Sequence, residues 1–531
     1  MTTAFSTPKA AWGHHQRVVP GAGLEPARPQ WPGDFKSPVS TNFTTRGGRE
    51  RAIISRHNAY ATPFESVTVQ FCKITNKQGA AAVASQRGEF GSRFGFIMAA
   101  AGSAVGLGNI WGFPTQAASN GGAAFVVVYL LLAFLLAYPV LMAELTLGRH
   151  AHGNMIAALA KVSRNGTQRG VGTLVGIVGI FTASLILSFY AIVSGWMIGF
   201  GAAYPLDALG ATETATWLSE FGLSRNLMLM LIFMTLTMAV VAGGVEKGIE
   251  RWSKRLMPAL IVTLILLSLY VMTLEGAGKG LAVYLVPDLS KLWSTELVFN
   301  AMGAAFFSLS LGVGTMLIYG SYVSDEEHLP SLGVQVALVD VGIAVLAGFL
   351  ILPAMYVAAE RGVMIFNEAG GLLSEDTLIF VVLPALFDSM NETGTVLALG
   401  FFGLMSIAAL TSSISMLEVP VSFLVERFQW GRLRAAFIAT AIITAMSAAI
   451  VMNFDTLFGL VITVSTRYSQ PLLGLALCVY AGWVWRRDVL LKELAKNEEA
   501  TSSTFFMRWW PWYVRFVCPA IIVTILARSI A

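Results

Sequence analysis

Charge is scarce in this chain: Asp, Glu, Lys and Arg together make up 12% of its 531 residues, about half of what a soluble globular domain carries. Such a sequence cannot dress an ordinary water-facing surface. Cysteine is scarcer still, and Cys72, Cys478 and Cys518 stand far apart, which excludes a disulfide framework or a cysteine-rich metal cluster. The six histidines are equally dispersed. His150 and His152 follow Arg149 in a loop without further ligands nearby, so no metal centre is expected there. No nucleophile stands with its base, no P-loop occurs, and the GxG of Gly106 to Gly108 lacks a preceding strand, so enzymatic chemistry finds no support. The net charge of +4 is distributed over loops and gives no reason to expect nucleic acid as a partner.

Long apolar runs are what the chain does have. Hydrophobic residues reach 55% and mean hydropathy is +0.67, which marks a polytopic membrane protein. Runs of about 18 to 28 residues begin near positions 93, 123, 172, 226, 252, 297, 331, 395, 432, 456 and 512, so about eleven helical spans are expected. A shorter apolar stretch, Thr377 to Phe387, is flanked by acids and reads as a surface helix of a long loop. Lys and Arg gather in the second-to-third connection (Arg149, Lys161, Arg164, Arg169) and the fourth-to-fifth (Lys247, Arg251, Lys254, Arg255). Both are therefore expected on the cytoplasmic side, as is the N terminus.

Two spans are interrupted by residues that weaken a helix. The first contains GSAVGLGNIWGFP, residues 102–114, and the sixth contains Ser308, Ser310, Gly312 and Gly314 in AFFSLSLGVGTMLIYGSY. Mid-helix glycine costs roughly 1 kcal/mol relative to alanine. Hydrocarbon offers freed backbone groups no water, so such breaks are tolerated where they line a cavity or hold a ligand. For the first segment alone, close packing through its GxxxG spacing is an equal explanation. The matching break in the sixth span favours the cavity and fits a five-plus-five inverted repeat, about 91–275 and 295–485, with an additional C-terminal helix at about 510–529. Asp340, inside LVDVGIAVLAGFLILP, is costly at bilayer depth and asks for a functional partner.

Residues 1–83 stand apart from this design, being polar and rich in proline and arginine without an apolar h-region. The stretch GAGLEPARPQWPGDFKSPVSTNFTTRGG resembles the conceptual translation of a transfer-RNA gene. The segment is expected to be either a start assigned too far upstream, with translation beginning near Val83, or a disordered tail.

Four blocks, RFGFIMAAAGSAVGLGNIWGFP, GVEKGIERWSKRLMPA, FFSLSLGVG and ALTSSISMLEVP, resemble in order and spacing the bacterial neurotransmitter:sodium symporters, which share the leucine-transporter fold. The resemblance covers about 87 to 531. It implies a sodium-driven symporter of amino acids or related small amines, working by alternating access in the bacterial cytoplasmic membrane. By that resemblance, sodium site one takes the backbone oxygen of Ala104, the side chains of Asn109, Ser308 and Asp340, and the substrate carboxylate. Sodium site two takes backbone oxygens of Gly102, Val105 and Ala408 and the hydroxyls of Thr411 and Ser412. One or two sodium ions are thus implied. Many family members carry asparagine at the Asp340 position and use chloride for charge balance. A fixed carboxylate implies transport without chloride.

The same resemblance sets the substrate carboxylate against the N–H groups of Leu107 and Gly108 and the Tyr190 hydroxyl. The amino group meets carbonyls of Ala104, Phe307 and Ser308 and the Ser310 side chain. The substrate side chain lies among Ile186, Phe307, Val313, Ser412, Ser415 and Met416. Val313 replaces a bulkier aromatic of the leucine transporter, which implies larger apolar or aromatic substrates. Arg87 and Glu426 match an inner gate pair. At the outer gate the family's arginine and acid are replaced by Gly112 and Phe458, and a common glutamine by Ala304. A ligand sensor or a channel-like pore on the same scaffold is the alternative reading. The convergence of polar residues in the first, sixth, seventh and eighth spans favours a transporter.

Overall fold

Hydropathy of this strength leaves the backbone few choices, and every regular element that the computed structural model describes is a helix. It describes residues 88–287, 294–366, 377–496 and 504–530. The extension 1–83 and Arg87 lie outside them. The helices are α1 (Arg93–Ala104), α2 (Gly108–Ser119), α3 (Ala123–Ala151), α4 (Met155–Val162), α5 (Gly166–Ala208) and α6 (Thr212–Ser219). There follow α7 (Leu223–Ala242), α8 (Val245–Val271), α9 (Ala277–Leu285), α10 (Thr295–Ser308), α11 (Thr315–Gly320) and α12 (Leu329–Glu360). The chain ends with α13 (Leu378–Asp388), α14 (Asn391–Phe428), α15 (Arg432–Met452), α16 (Phe454–Ile462), α17 (Arg487–Leu494) and α18 (Thr504–Ile530).

Among the described residues, eight helices are long and apolar enough to cross a membrane, and α1 with α2, bent by 61°, make a ninth candidate. The remaining expected spans are irregular. Helices α10 and α11 have 14 and 6 residues, each short of the roughly 20 needed to cross alone. Residues 454–484 continue from α16 through alternating π and α segments.

The breaks coincide with close backbone approaches. After Ala104 the chain turns extended at Val105. A Cβ on Gly106 would lie 2.9 Å from both the Ser412 and Tyr190 hydroxyl oxygens. Between α10 and α11, Gly312 has φ +76, and a Cβ there would stand 2.1 Å from the Gln470 carbonyl oxygen. Its freed N–H donates to Glu144 Oε1 at 2.7 Å. The acid inside α3 is thereby explained: it satisfies a backbone group that the break in another helix has orphaned.

The stretch around α13 departs from the sequence expectation. It is not a surface helix, because Leu378, Ile379, Phe380, Val382, Leu383, Leu386 and Phe387 are buried. Phe380 meets the rings of Trp111, Trp196, Phe200 and Phe221 at 5.3–6.0 Å. Flanking acids in the sequence concealed this, since they charge the ends of the segment while its middle packs inward.

Arg149, in the last turn of α3, is completely buried. Its Nε donates to Glu493 Oε1 at 2.9 Å and a second nitrogen to the Glu493 carbonyl at 2.6 Å. A third donates to the Glu327 carbonyl at 2.7 Å, which ties α17 and the segment before α12 to one end of α3. Burial alone would raise the Glu493 carboxyl, but hydrogen bonds from His150 and Lys496 and the charges of Arg149 and Lys496 hold it down, at about 2. A carboxyl depressed in the folded state stabilises the fold above its unfolded value and loses that contribution as pH falls toward its folded value. Arg149→Ala should therefore destabilise the detergent-solubilised protein by about 3 kcal/mol at neutral pH, measured by thermal unfolding. The difference from the parent should shrink as pH is lowered from about 4.5 toward 2.

Candidate functional site

Where α1 stops, its last carbonyls lack partners one turn ahead. The Ser412 hydroxyl of α14 reaches three of them, at 3.4 Å from Gly102, 3.1 Å from Ser103 and 3.1 Å from Val105. One hydroxyl hydrogen cannot serve three acceptors, so the cluster presents surplus oxygen. Thr411 Oγ1 lies 3.0 Å from the Ala408 carbonyl, and Gly102 faces Thr411 so closely that a Cβ would stand 3.0 Å from its Cβ. The residues expected for sodium site two, Gly102, Val105, Ala408, Thr411 and Ser412, are thus brought to one place. A hard cation suits such a set of oxygen donors.

A second polar knot joins the first break to the sixth span. Asn109 Nδ2 donates to Ser308 Oγ at 2.8 Å and to Asp340 Oδ1 at 2.7 Å, and Ser308 donates to Asp340 Oδ2 at 2.7 Å. All three are buried, Asp340 fully so. Asn109 Oδ1 accepts from the Gly106 N–H at 3.3 Å, and a half-turn of the amide would aim this oxygen at Ser308 and Asp340 instead. The donor set of carboxylate, hydroxyl and carboxamide fits the coordination expected of sodium site one. Ala104 borders the neighbouring cavity.

That cavity, of about 1130 Å³, is lined by Ala104, Leu107, Gly108, Ile186, Tyr190, Phe307, Ser308, Ser310, Val313, Ser412 and Met416. Ser415 alone of the expected substrate residues does not line it. Instead Ser415 accepts from Ser103 Oγ at 2.7 Å and donates to the Ser412 carbonyl at 2.7 Å, which buttresses the wall from behind. The Leu107 N–H donates to the Tyr190 hydroxyl at 3.2 Å, so hydroxyl and unwound backbone share one corner. Phe307 is 43% exposed and its ring stands 3.3 Å from where a Gly108 Cβ would be. Ser310 adopts φ +50, a conformation costly for a non-glycine residue, and its hydroxyl donates to the Ser103 carbonyl at 3.0 Å. The strained turn links the two breaks directly.

Glu426 Oε2 accepts from the Asn154 backbone and side chain at 2.8 and 2.7 Å, while Arg87 is outside the described residues. Gly112, Ala304 and Phe458 all line the cavity. Phe458 stacks on Phe454 with centroids 4.4 Å apart and meets Trp196 and Phe189 at 6.1 and 6.3 Å, so the neutral substitution is absorbed into an aromatic wall.

Sequence reasoning missed several members. Tyr129, fully buried in α3, donates to Ser308 Oγ at 2.9 Å; a tyrosine in an apolar run carries no signal that separates it from packing. Glu144 and Glu418 could have been found, because an acid inside a span is as informative there as at Asp340. Glu418 accepts from the Tyr322 hydroxyl at 2.6 Å and pairs with Arg432, fastening α14 to α15 and to the segment after α11.

The model of the "Sodium:neurotransmitter symporter family" matches residues 87–204 and 212–531. An uncharacterised sodium-dependent transporter of Bacillus subtilis (strain 168) is 32% identical over 457 residues, spanning 83% of this chain and 97% of that protein. A sodium- and chloride-dependent GABA transporter 2 of Bos taurus is 25% identical, over 65% of this chain and 63% of its own. Among solved structures, that of MhsT in complex with L-phenylalanine matches with a TM-score of 0.71 and 35% identity, covering 83% of this chain and 100% of that one. The paired helix breaks and their oxygen-rich surroundings thus sit in a leucine-transporter-like architecture of two repeats. The chain belongs to the sodium:neurotransmitter symporter family, and is a multi-pass membrane protein of sodium-coupled transport rather than an enzyme.

Proposed function

We propose that the protein is a sodium-coupled symporter of amino acids with larger apolar or aromatic side chains, independent of chloride and working by alternating access. The observation that carries this reading is the buried Asp340 carboxylate, engaged by Asn109 and Ser308 at the junction of the two broken spans. A bound sodium ion there would meet a fixed negative charge and, from the cavity side, the substrate carboxylate, so ion and substrate stabilise one another. Sodium site two uses the surplus carbonyls around Ser412. Glu426 belongs to the inner gate with Arg87. Eleven spans, a cytoplasmic N terminus and a bacterial cytoplasmic membrane complete the proposal, with residues 84–531 as the transporter. In support of that boundary, the family match begins at residue 87.

Support for the substrate class comes from Val313, which gives the cavity wall a small side chain, and from the similarity to MhsT, a protein solved with L-phenylalanine. Support for chloride independence is the fixed carboxylate: an anion need not be recruited where one is already covalently present.

In proteoliposomes, uptake of L-phenylalanine should require an inward sodium gradient and persist when gluconate replaces chloride. Binding without accumulation would favour the sensor. Asp340→Asn removes the charge beside the ion, and should raise the sodium concentration for half-maximal uptake by at least about tenfold. Val313→Phe fills the pocket, and should lower kcat/KM for L-phenylalanine relative to L-alanine by about tenfold or more, read from competitive uptake of the two labelled amino acids.

A further inference from the structure

The cavity continues past the expected substrate residues, and its charge there has a single sign. Arg467 and Arg528 line it, and among the described lining residues there is no Asp or Glu. Arg467 lies in the π-helical stretch Thr463–Ser469, whose wider turn re-aims side chains relative to a regular α-helix. Arg528 lies near the end of α18, its guanidinium 4.8 Å from the centre of the Phe299 ring. Both side chains are exposed, and neither forms an ion pair with a described carboxylate. Asp340 is fully buried, held by Asn109 and Ser308, and does not line the cavity. The places where an outer arginine and acid would cancel one another, Gly112 and Phe458, are neutral and border the same space.

The walls of the same cavity also carry the aromatic side chains of Trp196, Phe299, Phe454 and Phe458. A cleft with low-dielectric walls and charge of one sign focuses its field into the opening and concentrates the counter-ion. We propose that Arg467 and Arg528 make this vestibule an anion-attracting antechamber, which captures the carboxylate of an incoming solute and disfavours solutes of net positive charge. The inference rests on the proposed transport function for the solute's identity, and on the lining alone for the field. It adds a charge filter ahead of the site at the helix breaks, one that turns away amino acids with cationic side chains before they reach the breaks.

The test reads the field without requiring transport. Ala304→Cys, in a chain carrying Cys72→Ser and retaining the buried Cys478 and Cys518, places one accessible thiol in the vestibule. Its rates of labelling by a negatively charged sulfonatoethyl methanethiosulfonate and a positively charged trimethylammonium methanethiosulfonate are compared. The ratio of negative to positive reagent should be about threefold higher with both arginines than in R467Q/R528Q at about 0.1 M salt, and the gap should widen at lower ionic strength. R467K/R528K should keep the parent ratio, which a purely structural role would not. An unchanged ratio in R467Q/R528Q, or equal loss in R467K/R528K, overturns the proposal. Failure of sodium-driven uptake would leave this ratio unaffected, so the two readings fail separately.

Discussion

Two helices that stop inside a hydrocarbon layer leave backbone groups that must find partners within the protein, and the architecture around the site is organised by that requirement. The carbonyls freed at the end of α1 converge on Ser412 of α14. The N–H freed at Gly312 finds Glu144 of α3, and the Ser103 carbonyl receives Ser310 from the other break. The first two repairs come from α14 and α3, and the third runs between the two breaks themselves. Asp340 then joins the two halves by holding Asn109 from one break and Ser308 from the other.

The two ends of the bundle differ in how they are held. Beyond the breaks on one side the cavity opens past Gly112 and Phe458 toward Arg528. On the other, buried and half-buried polar contacts hold the elements together: Arg149 with Glu493, Glu418 with Tyr322 and Arg432, and Glu426 with Asn154. Buried pairs of this kind add little net stability relative to apolar packing, yet breaking one leaves an uncompensated charge. They suit a contact that must be made or released as a unit, which the proposed alternation of access demands.

Much of this was legible from residue order. Mid-span glycines located both breaks because glycine alone permits the approaches seen at Gly106 and Gly312, and Asp340 stood out because its cost at depth needs a reason. The oxygen set at Ser412 was reached through resemblance, since backbone carbonyls have no residue type to announce them. Other features escaped for physical reasons. Tyr129 looks like packing until a partner hydroxyl is placed beside it, Ser415 has the right spacing but turns behind the wall, and α13 buries its apolar middle between charged ends. The aromatic wall around Phe458 depends on which helices meet, which no local pattern encodes.

The proposed transport depends on mutual stabilisation of the ion at Asp340 and the substrate in the cavity. Its most direct measurement is equilibrium binding of radioactive sodium and of L-phenylalanine to the same purified protein, each titrated with and without the other. Saturating amino acid should tighten sodium binding by the same factor by which saturating sodium tightens amino-acid binding, as reciprocal coupling requires. Sodium binding that is indifferent to the amino acid would contradict it.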